Sequence, residues 1–229
     1  MRGRVHSIET LGALDGPGIR TVVFMQGCPL RCAYCHNPDT WNAKGGVLYT
    51  PNELFERVKR FKPYFKSEGG LTLSGGEPLL QGDFCAEVLR LCRNEGIKTA
   101  IDTSGYILHK EAVDLADLII LDIKHTSPER YKALTGADIE KSFEFLDYCK
   151  KTHKPLWIRQ VILTGINDTK EDMEALKSLI KGANVKKTEL LPYHKMGVEK
   201  WDRLGLNYPL KDTESPTEQK MEELSRLLL

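Results

Sequence analysis

Thr21-Val22-Val23-Phe24-Met25-Gln26-Gly27-Cys28-Pro29-Leu30-Arg31-Cys32-Ala33-Tyr34-Cys35-His36-Asn37-Pro38 is a β-branched apolar run that opens into a loop carrying three cysteines. Thr21 to Met25 has the composition of a buried strand. Gly27, Pro29 and Pro38 mark the stretch after Met25 as loop. The cysteines stand at C-x3-C-x2-C spacing, close enough along the chain to wrap one small inorganic centre. Thiolates hold iron–sulfur clusters, and a cubane normally takes four. Only three are local here, so one iron would stay open to another ligand.

Three other readings compete for the same residues. Structural zinc, with His36 as fourth ligand, would ordinarily draw a second ligand pair from a distant piece of chain. No second pair is present, and the adjacent Cys35 and His36 can hardly both reach one tetrahedral ion. Cys32-Ala33-Tyr34-Cys35-His36 matches the C-x-x-C-H of covalent haem, but it comes without an export signal and leaves Cys28 unexplained. A thioredoxin-like Cys32/Cys35 pair also leaves Cys28 idle. Cys85, Cys92 and Cys149 fall on apolar helical faces and read as core.

Outward from the loop, short apolar runs recur at Leu71–Leu73, Thr99–Ile101, Leu118–Ile123, Leu156–Leu163 and Glu189–Leu191. Helical patterns separate them. Thr50-Pro51-Asn52-Glu53 predicts a capping box before Leu54, Val58 and Phe61, and Ser215-Pro216-Thr217-Glu218 repeats the device before Met221, Leu224 and Leu228. Phe84, Val88, Leu91 and Cys92 share a face that Gly96 ends, and Asp168 or Thr169 caps a helix carrying Met173, Leu176 and Ile180. Six strands alternating with helices imply βαβ units and a parallel sheet with outer helices. An incomplete (β/α)6 barrel forming a single domain over residues 1–229 is the expectation, since a full barrel needs eight strands. A doubly wound open sheet is the alternative.

The composition is ordinary: 41% hydrophobic and 28% charged residues, with a net charge of +1. That balance offers no nucleic-acid footprint. Runs such as Leu118–Leu121 are far too short for a membrane span, and Met1–Thr10 has no apolar leader core. A soluble cytoplasmic protein is expected, with cysteines used as ligands or core rather than disulfides.

Polar groups gather at the carboxyl ends of the strand candidates. They are Ser74-Gly75-Gly76-Glu77-Pro78, Asp102-Thr103-Ser104-Gly105, Asp122-Ile123-Lys124 and Pro192-Tyr193-His194, with Arg159 inside the fifth run. Paired glycines let backbone approach a ligand closely. In barrel-like α/β folds that rim is where ligands sit. A lone Arg159 in an apolar run is costly to bury unpaired.

C-x3-C-x2-C followed by the Gly-Gly-Glu motif resembles the radical S-adenosylmethionine (SAM) superfamily. Asp15-Gly16-Pro17-Gly18-Ile19-Arg20 and Cys35-His36-Asn37 narrow the resemblance to glycyl-radical-enzyme activases, and it continues to Leu190-Leu191-Pro192-Tyr193-His194 over essentially the whole chain. Many such activases insert a cysteine-rich ferredoxin-like domain after the cluster loop. Here His36 to Phe84 contains no cysteine, as in the single-cluster type that serves pyruvate formate-lyase. The chain stops at Leu229, slightly early for the family.

The resemblance implies that Cys28, Cys32 and Cys35 hold a 4Fe–4S cluster whose remaining iron takes the amino and carboxylate groups of SAM. Reductive cleavage of SAM would give a 5′-deoxyadenosyl radical, which takes a Cα hydrogen from a glycine of the partner, pyruvate formate-lyase. Activation of a different glycyl radical enzyme, or simple electron transfer, are the competing functions. By the same resemblance Tyr34 lies by the adenine, and Gly75, Gly76 and Glu77 line the methionyl part. Asp102, Thr103, Lys124, Arg159 and His194 complete the SAM pocket. Asp102 and Asp122 are the carboxylates that can hold a monovalent cation. Asp15, Gly16 and Arg20, with His36, meet the glycine-bearing peptide. A flavodoxin-type electron donor is implied; neither nucleic acid nor membrane is.

Overall fold

The computed structural model describes residues 1–228 of the chain. It divides into two compact units. One comprises Met1–Pro29, Thr40–Thr103 and Ile107–Ile120, the other Leu30–Asp39, Ser104–Tyr106 and Leu121–Leu229.

The first unit holds β1 (Gly3–Gly12), β2 (Arg20–Met25), β3 (Val47–Tyr49), α1 (Pro51–Lys59), α2 (Lys62–Phe65), β4 (Gly70–Gly75), α3 (Gly82–Asn94), β5 (Lys98–Thr103) and α4 (Lys110–Leu115). β6 (Leu118–Asp122) begins in it and ends in the second unit. Then come α5 (Pro128–Thr135), α6 (Glu140–Lys151), β7 (Leu156–Ile162), α7 (Lys170–Ile180), β8 (Val185–Pro192), α8 (Val198–Arg203) and α9 (Glu218–Leu228).

The strand order is β3-β1-β2-β4-β5-β6-β7-β8, and the sheet is not closed. β2, β4 and β5 pair in parallel, as do β7 and β8. From β2 onward the order simply follows the chain. A doubly wound sheet reverses its order at a switch point, and no reversal occurs here. Right-handed crossovers that always step the same way belong to barrel-type winding. The six expected strands are β2 and β4 to β8.

β1 and β3 go beyond that expectation. Both are antiparallel additions at one edge. β1 carries Ser7, Glu9 and Thr10 on an exposed stretch and its pairing with β2 is interrupted twice by bulges. A stretch with no buried face, as β1 has from Ser7 on, loses the period-two signal that a sequence can reveal.

Helix boundaries follow capping chemistry. Thr50 and Glu53 form the expected box, and Leu54 and Val58 are buried beneath it. Each contributes about 1.5–3 kcal/mol by leaving water. Phe61 lies beyond the end of α1, not on its face, because the helix stops at Arg60. Thr169, not Asp168, caps α7 through a box with Asp172. α9 starts at Glu218, and the Thr217 hydroxyl accepts from Lys220 N at 3.2 Å. Ser215 therefore is not the cap. Gly96 ends α3 at φ +70°, a conformation that suits glycine. Cys85, Cys92 and Cys149 are fully buried.

The two candidate caps of α9 are separable by unfolding. Thr217→Ala is expected to cost about 1 kcal/mol. Ser215→Ala should fall within about 0.5 kcal/mol of the parent in denaturant melts. A loss in Ser215→Ala larger than in Thr217→Ala would return the cap to Ser215.

Candidate active site

In the first unit, the start of the cysteine loop is bonded to the turn after β4. Gly76 N donates to Met25 O at 3.0 Å and Glu77 N to Gly27 O at 2.8 Å, while Gly27 N donates to Thr40 O at 2.7 Å. The two glycines of Ser74–Pro78 are demanded by this contact. A Cβ on Gly75, at φ +106°, would stand 2.2 Å from Met25 N, and one on Gly76 would stand 2.3 Å from Gly27 O. The motif pattern sets these glycines against a ligand; their tightest approaches are to Met25 at the end of β2 and to Gly27 of the loop that carries Cys28.

Glu77 is fully buried and caps the short turn beginning at Pro78. Its Oε1 accepts from Leu79 N at 3.2 Å and from the Thr103 hydroxyl at 2.7 Å. Ser74 Oγ donates to Asp102 Oδ2 at 3.0 Å. The ends of β4 and β5 are thus tied together through the residues expected to meet SAM. Arg20 is buried, and its bonds go to the Thr72 hydroxyl and to the carbonyls of Pro17, Glu68 and Leu71. Burial lowers its pKa to about 10, with Asp117 and Asp15 opposing. Thr72 Oγ1 in turn donates to Asp15 O at 2.6 Å. Arg20 supports the Asp15–Gly18 loop from behind.

In the second unit, the middle of the cysteine loop rests on the last turn of α5. Arg31 N donates to Thr135 O and Ala33 N to Leu134 O, both at 2.8 Å. These carbonyls are among those a helix leaves unsatisfied at its end. Cys32 is buried, and burial pushes its thiol up to about 12 against the pull of Lys124. Tyr34 is buried too, and its hydroxyl is driven well above its ordinary value by desolvation.

Lys124 stands 5.4 Å over the Tyr34 ring and donates to Asp122 Oδ2 at 2.6 Å. Burial works against its ammonium, but Asp122, Tyr34 and Cys32 together outweigh it and the net shift is upward. Among the described residues Tyr34 Oη and Asp122 Oδ1 are buried and meet no hydrogen-bond partner. Such atoms cost about 1–3 kcal/mol each unless a ligand meets them. A polar ligand with both donor and acceptor groups, as SAM is, suits this corner. Burying a thiolate at Cys32 likewise calls for a cationic centre.

Arg159 is buried, and Nε donates to Glu189 Oε2 at 2.9 Å. Lys187 donates to Glu189 Oε1 at 2.6 Å and lies 4.7 Å over Trp157. Burial tends to raise the Glu189 carboxyl, but the two cations outweigh it and the net shift is downward. In the sequence Glu189 is no more than a strand residue; its register opposite Arg159 in β7–β8 is what reveals it. His36 and His194 stack with ring centroids 4.2 Å apart, and burial lowers the pKa of His36. Among the described residues no three His, Cys, Asp or Glu side chains are gathered about one point.

The sequence profile described as the radical SAM superfamily matches residues 22–180, and the chain belongs to that superfamily. It is an enzyme class that uses a 4Fe–4S cluster and SAM. A Clostridium pasteurianum protein named pyruvate formate-lyase-activating enzyme is 49% identical over 99% of this chain and 97% of its own length. The Escherichia coli K12 pyruvate formate-lyase 1-activating enzyme is 38% identical over 99% and 95%. Within the superfamily, the chain belongs to the family of these activating enzymes. A crystal structure of a domain of such an enzyme from Bacteroides vulgatus aligns with TM-score 0.57 at 22% identity, over 70% of this chain and 92% of that one, and shares the fold.

Gly76→Ala would drive a methyl group into Gly27 O and to 3.3 Å from Cys28 Cβ. The variant is expected to bind less than about half the iron of the parent after anaerobic reconstitution, since overpacking of this kind costs about 1–3 kcal/mol or more. Iron content equal to the parent's would show that the loop tolerates the displacement.

Proposed function

We propose that the chain activates pyruvate formate-lyase by removing a Cα hydrogen from one of its glycines, using SAM cleaved at a cluster held by Cys28, Cys32 and Cys35. The loop with three closely spaced thiols and no fourth carries the proposal. The names of the relatives support the choice of partner. When bound, the cluster supplies one low-potential electron to the SAM sulfonium, and the S–C5′ bond breaks to give methionine and the 5′-deoxyadenosyl radical.

The protein's own residues bind and orient. Tyr34, Lys124 and Asp122 present a buried polar corner to SAM. Gly75, Gly76 and Glu77, with Asp102 and Thr103, form the methionyl side. Arg159, held by Glu189, and His194 complete the pocket. Asp102 and Asp122 supply carboxylates for a monovalent cation, whose charge would offset theirs. The resemblance assigns Asp15, Gly16, Arg20 and His36 to the glycine-bearing peptide, and Arg20 holds the Asp15–Gly18 loop through the Pro17 carbonyl. Exclusion of water around a primary radical is the work of the whole pocket. Residues 1–229 act as one radical SAM domain. A flavodoxin-type donor supplies the electron and the site of action is the cytoplasm; no helix among the described residues is long and apolar enough to cross a membrane.

Anaerobic reconstitution, dithionite and SAM should yield 5′-deoxyadenosine. Adding pyruvate formate-lyase should yield a glycyl radical in the electron paramagnetic resonance spectrum. Cys28→Ala, Cys32→Ala and Cys35→Ala should each abolish both, while Cys85→Ala, whose thiol donates to Pro78 O in the core, should leave both largely intact. A 5′-deoxyadenosine product without a radical on pyruvate formate-lyase would redirect the activity to another glycyl radical enzyme. Absence of both would leave an electron carrier.

A further inference from the structure

The exit of the cysteine loop is gripped by a segment far along the chain, within the second unit. Trp201, 166 positions after Cys35, donates its indole N–H to Cys35 O at 2.8 Å. The indole is 4% exposed. Its ring meets Tyr208 edge-on at 5.2 Å. Tyr193 Oη donates to Leu210 O, so its single proton is spent and Tyr208 donates to Tyr193 across 2.8 Å. Next to it, Lys200 donates to Asn37 Oδ1 at 2.7 Å and pairs with Asp39 at 3.3 Å. Gly197 packs so closely on His36 that a Cβ would stand 2.6 Å from its Cα.

A buried indole N–H must find an acceptor. Here the acceptor is the carbonyl of the last cysteine of the motif, and two buried tyrosines brace the ring that reaches it. We infer that Trp201 is a positioning residue for the cluster: it fixes the Cys35 peptide plane, and with it the direction of the Cys35 thiolate. This rests on the reading of Cys35 as a ligand. Hydrogen bonds around the ligands of a metal centre orient them and tune the potential. Removing a donor from the Cys35 carbonyl leaves more electron density on that residue, which favours the oxidised cluster.

The test uses the full chain with and without its cluster, as parent, Trp201→Phe, Trp201→His and Tyr208→Phe. In the cluster-free protein, amide exchange at residues 35–37 should be about tenfold faster in Trp201→Phe, the size of one lost hydrogen bond. In the loaded protein, Trp201→Phe should release iron to a chelator about tenfold faster and show a lower midpoint potential, with the KM for SAM near the parent's. Trp201→His, which keeps a ring N–H, should recover part of both. Tyr208→Phe keeps the ring edge against the indole and removes only the hydroxyl bond to Tyr193, so its changes in iron release and potential should be clearly smaller than those of Trp201→Phe.

Parental release rate and potential in Trp201→Phe would overturn the inference. So would equal changes in Tyr208→Phe, which would reduce the role to general packing. A parent chain that binds no iron would strike the reading of Cys35 as a ligand; the exchange data on the metal-free chain would still report on the indole bond.

Discussion

The cysteine loop carries three closely spaced thiols on a stretch that is largely buried, and its backbone groups need partners all the same. Those partners are found in other elements. The turn after β4 takes Met25 O and Gly27 O, the C-terminal turn of α5 takes the amides of Arg31 and Ala33, and Trp201 takes Cys35 O. The loop is therefore defined by chain segments that its own sequence does not contain. Changes at Gly76 or in α5 act on the cysteines without touching sulfur.

The charges nearby are costly, and their arrangement makes sense as function rather than as stability. Lys124 with Asp122, and Arg159 with Glu189, are largely withdrawn from water. A buried pair seldom repays its desolvation compared with apolar residues of similar size. Tyr34 Oη and Asp122 Oδ1 add two unpartnered polar atoms. A fold that keeps such groups keeps them for a ligand, and the amino, carboxylate and ribose groups of SAM are suited to them.

Much of this is legible in the sequence, for physical reasons. β2 and β4 to β7 are largely buried runs of β-branched and aliphatic residues, so their composition announces them; β8 is part-exposed, and only its Glu189–Leu191 end is legible. The Thr50 and Thr169 boxes are local chemistry and stand where a local reading puts them. β1 is hidden because its exposed half carries polar residues on both faces. Ser215 and Thr217 both fit a capping pattern, and the Thr217 hydroxyl is the one that meets the first turn of α9, at Lys220 N. Glu189 and Trp201 are invisible for a different reason. Each gains its meaning from one partner far away in sequence, through strand register in one case and a single indole bond in the other.

Mössbauer spectroscopy on anaerobic protein carrying isotopically enriched iron tests the three-thiolate centre most directly. Adding SAM should change the signal of one iron in four and leave the other three as they were. Four irons that respond alike, or a chain that takes up zinc in place of a cluster, would contradict the account.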